Sequence, residues 1–255
     1  MNASDQAAAT RLLVTVEPFE TSGDLTGLTR VLRDDWTPEC LMPFLTAGDE
    51  KVERTAALCL GLIGDSAACQ ALVSLLHHSS AVVVATAEQA LWTIWFRAGG
   101  QTAQAVLCKI IERMYDRETD NAVPMLTELI RAFPHYAEAH HQRAQASFLQ
   151  SAYASALRDA RKAHRENPFH FGALATQGHA LAALGHRSEA LAIYREVLML
   201  HPRCEGIEDA IGELRGRADR AEIRSRSPIN SNGVRRVPLL FVATRPQEIA
   251  DETKG

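Results

Sequence analysis

The chain has 255 residues, 46% of them hydrophobic and 23% charged, with 27 basic side chains, 31 acidic ones and a net charge of −4. That balance belongs to a globular chain of one or two domains; it excludes disorder throughout and a collagen-like chain, and it supplies no basic surface for nucleic acid or an anionic membrane. Aromatic residues are only 6% while alanine is abundant, a composition suited to close-packed helices, since alanine has the best helix propensity and lets backbones approach. Residues 1–23 carry no basic segment, and their one early apolar run, Leu12-Leu13-Val14-Thr15-Val16, is too short for the core of a signal peptide. They are expected to be a partly disordered N-terminal segment. No stretch approaches the roughly 20 apolar residues that span a bilayer. Five cysteines, none in a CxxC pair, read as reduced thiols, most of them packed as small apolar side chains in a cytoplasmic protein.

Residues 24–35 carry Leu25, Leu28, Val31 and Leu32 at helical spacing, and Thr37-Pro38 then reads as a helix cap and first turn. Beyond them a period appears. Leu41, Phe44, Leu45, Val52, Ala56, Leu60 and Ile63 recur 31 residues later as Leu72, Leu75, Leu76, Val83, Ala87, Leu91 and Ile94. Each unit is helix, short turn, helix, with turns at residues 47–50 and 77–80, and Gly61 and Gly64 close the first unit where helices stop. The pattern resembles the short bacterial form of the HEAT repeat, also found in phycobilin lyase-like proteins. That family's Val-Arg pair is Val52-Glu53-Arg54 in the first copy, and the second copy departs from it with Val83-Val84. Trp92, Trp95 and Phe96 follow, ahead of Gly99-Gly100. They either fill the seam between two kinds of repeat or present an exposed aromatic anchor. The short joint favours one continuous helical solenoid, with residues 24–100 as its HEAT-like part.

Downstream, Pro134, Pro168 and Pro202 stand 34 residues apart. Twelve residues before each lies Ala122, Ala156 or Ala190; five before each lies Leu129, Ala163 or Val197. Gly178, Leu181 and Tyr194 complete the last copy. This resembles the tetratricopeptide (TPR) repeat, whose period is 34. Small residues sit where antiparallel helices cross closely, and each proline ends a second helix. The copy over residues 103–136 is the weakest: Ile110 and Arg113 replace the usual Gly and Tyr, and Pro124 places its second helix start near Asn121. Ile207, Ala210, Ile211 and Leu214 mark a terminal capping helix. Residues 101–222 are thus expected to be three TPR repeats plus a cap. Residues 223–255 change character: turn-forming and disorder-prone residues surround an apolar island at 237–244, and this is the only basic part of the chain. The fold expected is all-α, a solenoid of helical hairpins with a mostly disordered tail.

Chemistry is sparse. No phosphate loop, GxSxG, HExxH or CxxC motif occurs. The adjacent pairs His77-His78 and His140-His141 point about 100° apart on a helix and cannot chelate one ion together. Arg158, Arg161, Lys162 and Arg165 form a run on one helix that reads as a solvated face. No catalytic residue, cofactor or metal is therefore expected, and the chain is not expected to be an enzyme.

A stack of helical hairpins offers a concave surface to a peptide or protein. The function expected is a non-enzymatic interaction module or scaffold with a protein or peptide partner and neither nucleic acid nor membrane. An accessory or chaperone factor, in assembly or in lyase-type cofactor attachment, is the alternative. The TPR resemblance implies a groove lined by Glu138, His141, Gln142, Gln145 and Phe148, then Gly172, Ala175, Thr176, His179 and Ala182. It also implies that a carboxylate clamp is missing, since the clamp's Lys, Asn and Asn positions hold His141, Gln145 and Thr176. His141 and His179 are expected to make binding pH-sensitive, as an unperturbed histidine titrates near ~6.5.

Overall fold

The computed structural model describes residues 3–115 and 121–225. All regular structure among them is helical, in thirteen α-helices: α1 (Ala3–Ser22), α2 (Leu25–Asp35), α3 (Pro38–Leu41), α4 (Glu50–Ile63), α5 (Cys69–Leu75), α6 (Ala81–Arg97), α7 (Gly100–Tyr115), α8 (Ala122–Ala132), α9 (Ala137–Leu149), α10 (Tyr153–Glu166), α11 (Phe171–Ala183), α12 (Arg187–Leu200) and α13 (Ile207–Ser225). They divide into two compact units that part between Ala105 and Val106, inside α7 and not at the glycine pair. Among the described residues no helix is long and apolar enough to cross a membrane.

In the first unit, the N-terminal segment departs from expectation: it is one helix. Ala9, Leu12 and Val16 form a buried stripe at intervals of three and four residues, and α1 packs on α2 and α4. The run that was too short for a signal peptide is the inner face of an amphipathic helix, with Val14 turned outward. Asp24 caps α2 by accepting from the Gly27 N–H at 2.7 Å. Six of the seven 31-residue pairs are buried in both copies, and in the seventh Ile94 is buried while Ile63 is half-buried. Leu41 and Leu72, Ala56 and Ala87, and Leu60 and Leu91 are each fully enclosed. The first hairpin's leading helix is interrupted, because Pro43 stands two residues past the end of α3 and the chain continues as a 3-10 turn over Met42–Thr46. Gly48 then turns at φ +76°, and Asp49 caps α4 through the Lys51 and Val52 N–H groups. Helices α4 and α6 cross where Gly61 meets Ala90; a Cβ on Gly61 would stand 3.0 Å from the Ala90 Cα. Arg97, at the end of α6, donates to the Gly61 and Gly64 carbonyls and so satisfies the C-terminus of α4. Trp92, Trp95 and Phe96 are buried, which an exposed anchor would not be, and the two indoles meet edge to face at 5.1 Å.

In the second unit, α9 pairs with α10 and α11 with α12, while α8 packs on α9 and α13 on α12. Phe133, Asn167 and His201 are the C-caps of α8, α10 and α12, each standing directly before one of the three prolines. Ala122, Ala156 and Ala190 are buried at the helix crossings. Gly178 lies flat on the Tyr194 ring, and a Cβ there would come within 2.4 Å of it. Ile207, Ala210 and Leu214 of α13 close the last layer. The expected tail begins inside this helix, which runs to Ser225; the rest of it, residues 226–255, with the apolar island, lies outside the described residues.

Two glycines on helices give opposite expectations. Gly178→Ala forces the buried Tyr194 ring aside and should cost about 1–3 kcal/mol of overpacking, more than the gain in helix propensity. Gly212→Ala in α13 meets nothing within 4 Å and should stabilise by up to about 1 kcal/mol. Thermal melts of the two variants beside the parent should move in opposite directions.

Candidate functional site

The inner helices of the second unit carry most of the polar chemistry. Glu138 is in the first turn of α9 and is fully enclosed. One carboxylate oxygen accepts from Gln142 Nε2 at 2.7 Å and stands 3.3 Å from His141 Nδ1; the other is 2.9 Å from His170 Nε2. His170 is the residue before α11, so the contact joins two successive repeats. Its other nitrogen, Nδ1, accepts the backbone N–H of Ala173 at 3.1 Å and thereby caps α11. An Nδ1 that accepts leaves the ring proton on Nε2, where it is donated to Glu138. The ring is therefore neutral. Burial, together with the neighbouring His141, pushes its pKa down to about 4 against the opposing pull of Glu138. Burial works against ionisation of Glu138 as well. The attraction of His141 and the hydrogen bonds from His141 and His170 prevail, and its carboxyl is held well below the usual range.

Glu138, His141 and His170 are also a group whose ligand atoms all lie within 4.8 Å of one another. Sequence spacing missed this convergence, because His170 belongs to the next repeat. The donor pattern does not suit a cation. A histidine bound to metal through Nε2 keeps its proton on Nδ1 and donates it outward, whereas Nδ1 of His170 faces an N–H. The trio is a hydrogen-bond cluster already filled with protons. His140, its ring turned elsewhere as adjacent helical residues must be, meets the Pro134 carbonyl at 3.0 Å. Arg143 forms a two-pronged pair with Asp159 of α10 at 2.7 and 2.8 Å and reaches Thr127 of α8 at 3.1 Å.

The remaining residues expected in the groove separate into two kinds. Thr176 is buried and its hydroxyl donates to the Gly172 carbonyl of its own helix. Gln145 and Phe148 are half-buried. Phe148 packs against Tyr153 and His179, with ring centroids 5.1 and 6.3 Å apart. His179 Nδ1 is 2.8 Å from the Tyr194 hydroxyl, and its Nε2 is buried with no hydrogen-bond partner among the described residues. The expectation of an open groove is thus corrected for Glu138, His141, Gln142 and Thr176, which are enclosed. The expected titration of His179 near neutrality is corrected too, since burial holds it at about 4. Sequence reasoning missed His170, Tyr153 and Tyr194 as neighbours of these residues. His170 did carry a signal: it stands one repeat period after Tyr136 and one before Cys204, directly ahead of a helix. The basic run on α10 is spread outward and partly paired: Arg158 donates to Ser155, Lys162 pairs with Glu166, and Arg161 lies 3.9 Å from Glu189.

These hairpins, stacked on small residues at a fixed period, define a helical-repeat protein. Residues 25–92 match the family model of HEAT repeats, and the chain is HEAT-like there and TPR-like downstream. No curated protein matches the sequence. Among solved structures, the first TPR of Spaghetti (RPAP3) bound to the HSP90 peptide SRMEEVD is 24% identical, with a TM-score of 0.44 over 46% of this chain and 93% of that one. The Sgt2 TPR domain from Aspergillus fumigatus is 15% identical, with a TM-score of 0.48 over 55% of this chain and 95% of that one. The TPR2AB domain of yeast Sti1, in complex with pHSP90, is 18% identical, with a TM-score of 0.41 over 84% of this chain and 99% of that one. The TPR-like assignment rests on the period and packing of this chain's own helices.

The buried histidines set a pH dependence. His170 and His179 titrate at about 4 when folded and near ~6.5 when unfolded. Between those values the unfolded chain binds more protons, so stability is full above pH ~6.5 and falls as the pH drops toward 4, by up to about 1.4 kcal/mol per pH unit for each ring. Melting temperatures across this range should show the descent, and His179→Gln should make it shallower. Glu138→Ala removes the acceptor shared by His170 and Gln142 and should cost about 3 kcal/mol at pH 7 by denaturant unfolding.

Proposed function

We propose that this chain is a non-enzymatic protein-interaction module, which takes an extended peptide or protein segment on the concave side of α9 and α11. The observation that carries the proposal is His179: a buried imidazole nitrogen without a partner among the described residues, beside the half-buried Phe148 and Gln145. A hydrogen-bonding group next to an apolar ring and an amide is the equipment needed to hold a peptide backbone and one apolar side chain. The partner is not an acidic C-terminus. Helix α11 has no Asp, Glu, Lys or Arg, and the one arginine of α9, Arg143, is committed to Asp159. A catalytic or lyase-type role is poorly supported. Burial pushes the thiols of Cys59 and Cys69 up to about 12 and about 11, and that of Cys108 upward as well, so these are protonated thiols and not nucleophiles. Glu138 is saturated with donors. The interaction reading also agrees with a chain that carries no recognisable catalytic motif.

The test uses an array of tiled peptides, each with a free and an amidated C-terminus, probed with the wild-type chain and with Gln145→Arg. Peptides bound by the wild type should lose at least tenfold in affinity to the variant, with the melting temperature unchanged, and amidation should make no difference. Full retention by the variant would place the site away from α9 and α11, and a preference for free carboxylates would overturn the account of its chemistry.

A further inference from the structure

The inner helices of the second unit are covered on every side. In α9, Ala137, Glu138, Ala139, His140, His141 and Gln142 are six consecutive buried residues; in α11, Ala173, Leu174, Ala175, Thr176, Gln177 and Gly178 are six more. At about 100° per residue, each run passes all the way round its helix. The outer helix α10 differs, with Arg158, Arg161 and Arg165 on an exposed stripe. Helix α11 packs on α9, α10 and α12. Gly178 faces α12 through the Tyr194 ring. Thr176 lies about 160° round the helix from it, on the side that a stacked hairpin leaves to solvent or to a ligand. Yet Thr176 is only 7% exposed and Ala175 only 4%.

We propose that the concave side of α9 and α11 is the seat of this chain's own residues 234–245, a tethered occupant that an outside partner must displace. The proposal rests on the groove reading above and adds the chemistry of what fits there. Three observations point to this occupant. The first is reach. Thirty residues follow the last described residue, Ser225 at the end of α13, and α13 packs on the unit that holds the groove. Eleven residues separate Ser225 from Val237, enough chain to span roughly 35–40 Å. The second is charge. Arg235, Arg236 and Arg245 flank the segment, which has no acidic residue, while α11 has no Asp, Glu, Lys or Arg and Arg143 of α9 is paired with Asp159, so the inner helices present no free guanidinium or ammonium to repel it. The third is the segment's own chemistry. Leu239, Leu240, Phe241 and Val242 are a compact apolar run, an aggregation hazard if left in water. Pro238 removes a backbone donor and disfavours the helical region for the residue before it, which suits an extended backbone held by side chains such as Gln145 and His179.

The experiment uses the full chain with Leu239→Asp and Phe241→Asp together, and a labelled synthetic peptide of residues 234–245. Fluorescence polarisation should show the peptide binding the double variant at least tenfold more tightly than the wild type, whose site is filled. Carbethoxylation of His179, read by mass spectrometry, should be faster in the variant, with far-ultraviolet circular dichroism unchanged. Arg235→Glu with Arg236→Glu is the milder second variant should the first fail to fold, and it should shift both readouts the same way. Equal binding to wild type and variant would overturn the tethered occupant while leaving the groove in place. No binding to either folded variant, with His179 as slow as in the wild type, would overturn the proposal outright, and the peptide array then decides the groove independently.

Discussion

A carboxylate on one hairpin and a neutral histidine on the next tie successive repeats together in both units. In the second unit the pair is Glu138 and His170, with His170 accepting the Ala173 N–H at the start of α11. In the first it is Glu53 and His78. Glu53 takes the Gly48 N–H at 2.9 Å and meets His78 Nε2 at 3.1 Å, while His78 Nδ1 accepts the Ser80 N–H at 3.0 Å, just ahead of α6. The logic is the same each time. A backbone N–H at a helix start claims one ring nitrogen, which sets the tautomer and aims the other nitrogen's proton at a carboxylate. Repeat proteins have only nearest-neighbour contacts to hold their register. Apolar packing between hairpins tolerates sliding far better than a buried carboxylate that must find its donors. The polar pairs therefore favour one register at the two places where they occur, Glu53 with His78 and Glu138 with His170.

Close approach of backbones is the second requirement, and it is met by small residues. Gly61 against Ala90 and Gly178 against Tyr194 are the same solution with different partners. In the first, two helices touch backbone to backbone. In the second, a glycine makes room for a large ring whose hydroxyl then meets His179. Each crossing places a polar group that the packing alone would not have placed. At the α4–α6 crossing it is Arg97, on the last carbonyls of α4; at the α11–α12 crossing it is His179.

The polar cluster bears on function through what it withholds. Glu138 and His141 occupy positions from which TPR repeats reach a ligand, but here they are spent on each other and on His170. What remains on the proposed face is the amide of Gln145, the edge of Phe148 and one nitrogen of His179. On the reading proposed above, such a surface would hold a backbone and a few apolar side chains, and it would discriminate through shape more than through a dense set of polar contacts.

Much of the architecture follows from local rules. The 31- and 34-residue periods, the prolines directly after Phe133, Asn167 and His201, the alanines at the crossings and the capping helix α13 are written in residue type and spacing, because helix stops and close crossings each demand particular residues where they occur. Helix α1 was missed: residues 1–23 were expected to be partly disordered, because the run Leu12–Val16 was weighed only as a signal-peptide core and hid the stripe of Ala9, Leu12 and Val16 that a period of 3.6 reveals. The site was less legible. Nothing in the sequence relates Glu138 to His170, which are 32 residues apart and adjacent only once one hairpin lies on the next. Nor does it show that Thr176 and Ala175 are enclosed or that His179 has lost its ordinary titration. Burial, tautomer and pKa are properties of what surrounds a side chain, and those surroundings come from other repeats; spacing along the chain carries the repeats, and only their stacking decides which polar groups meet.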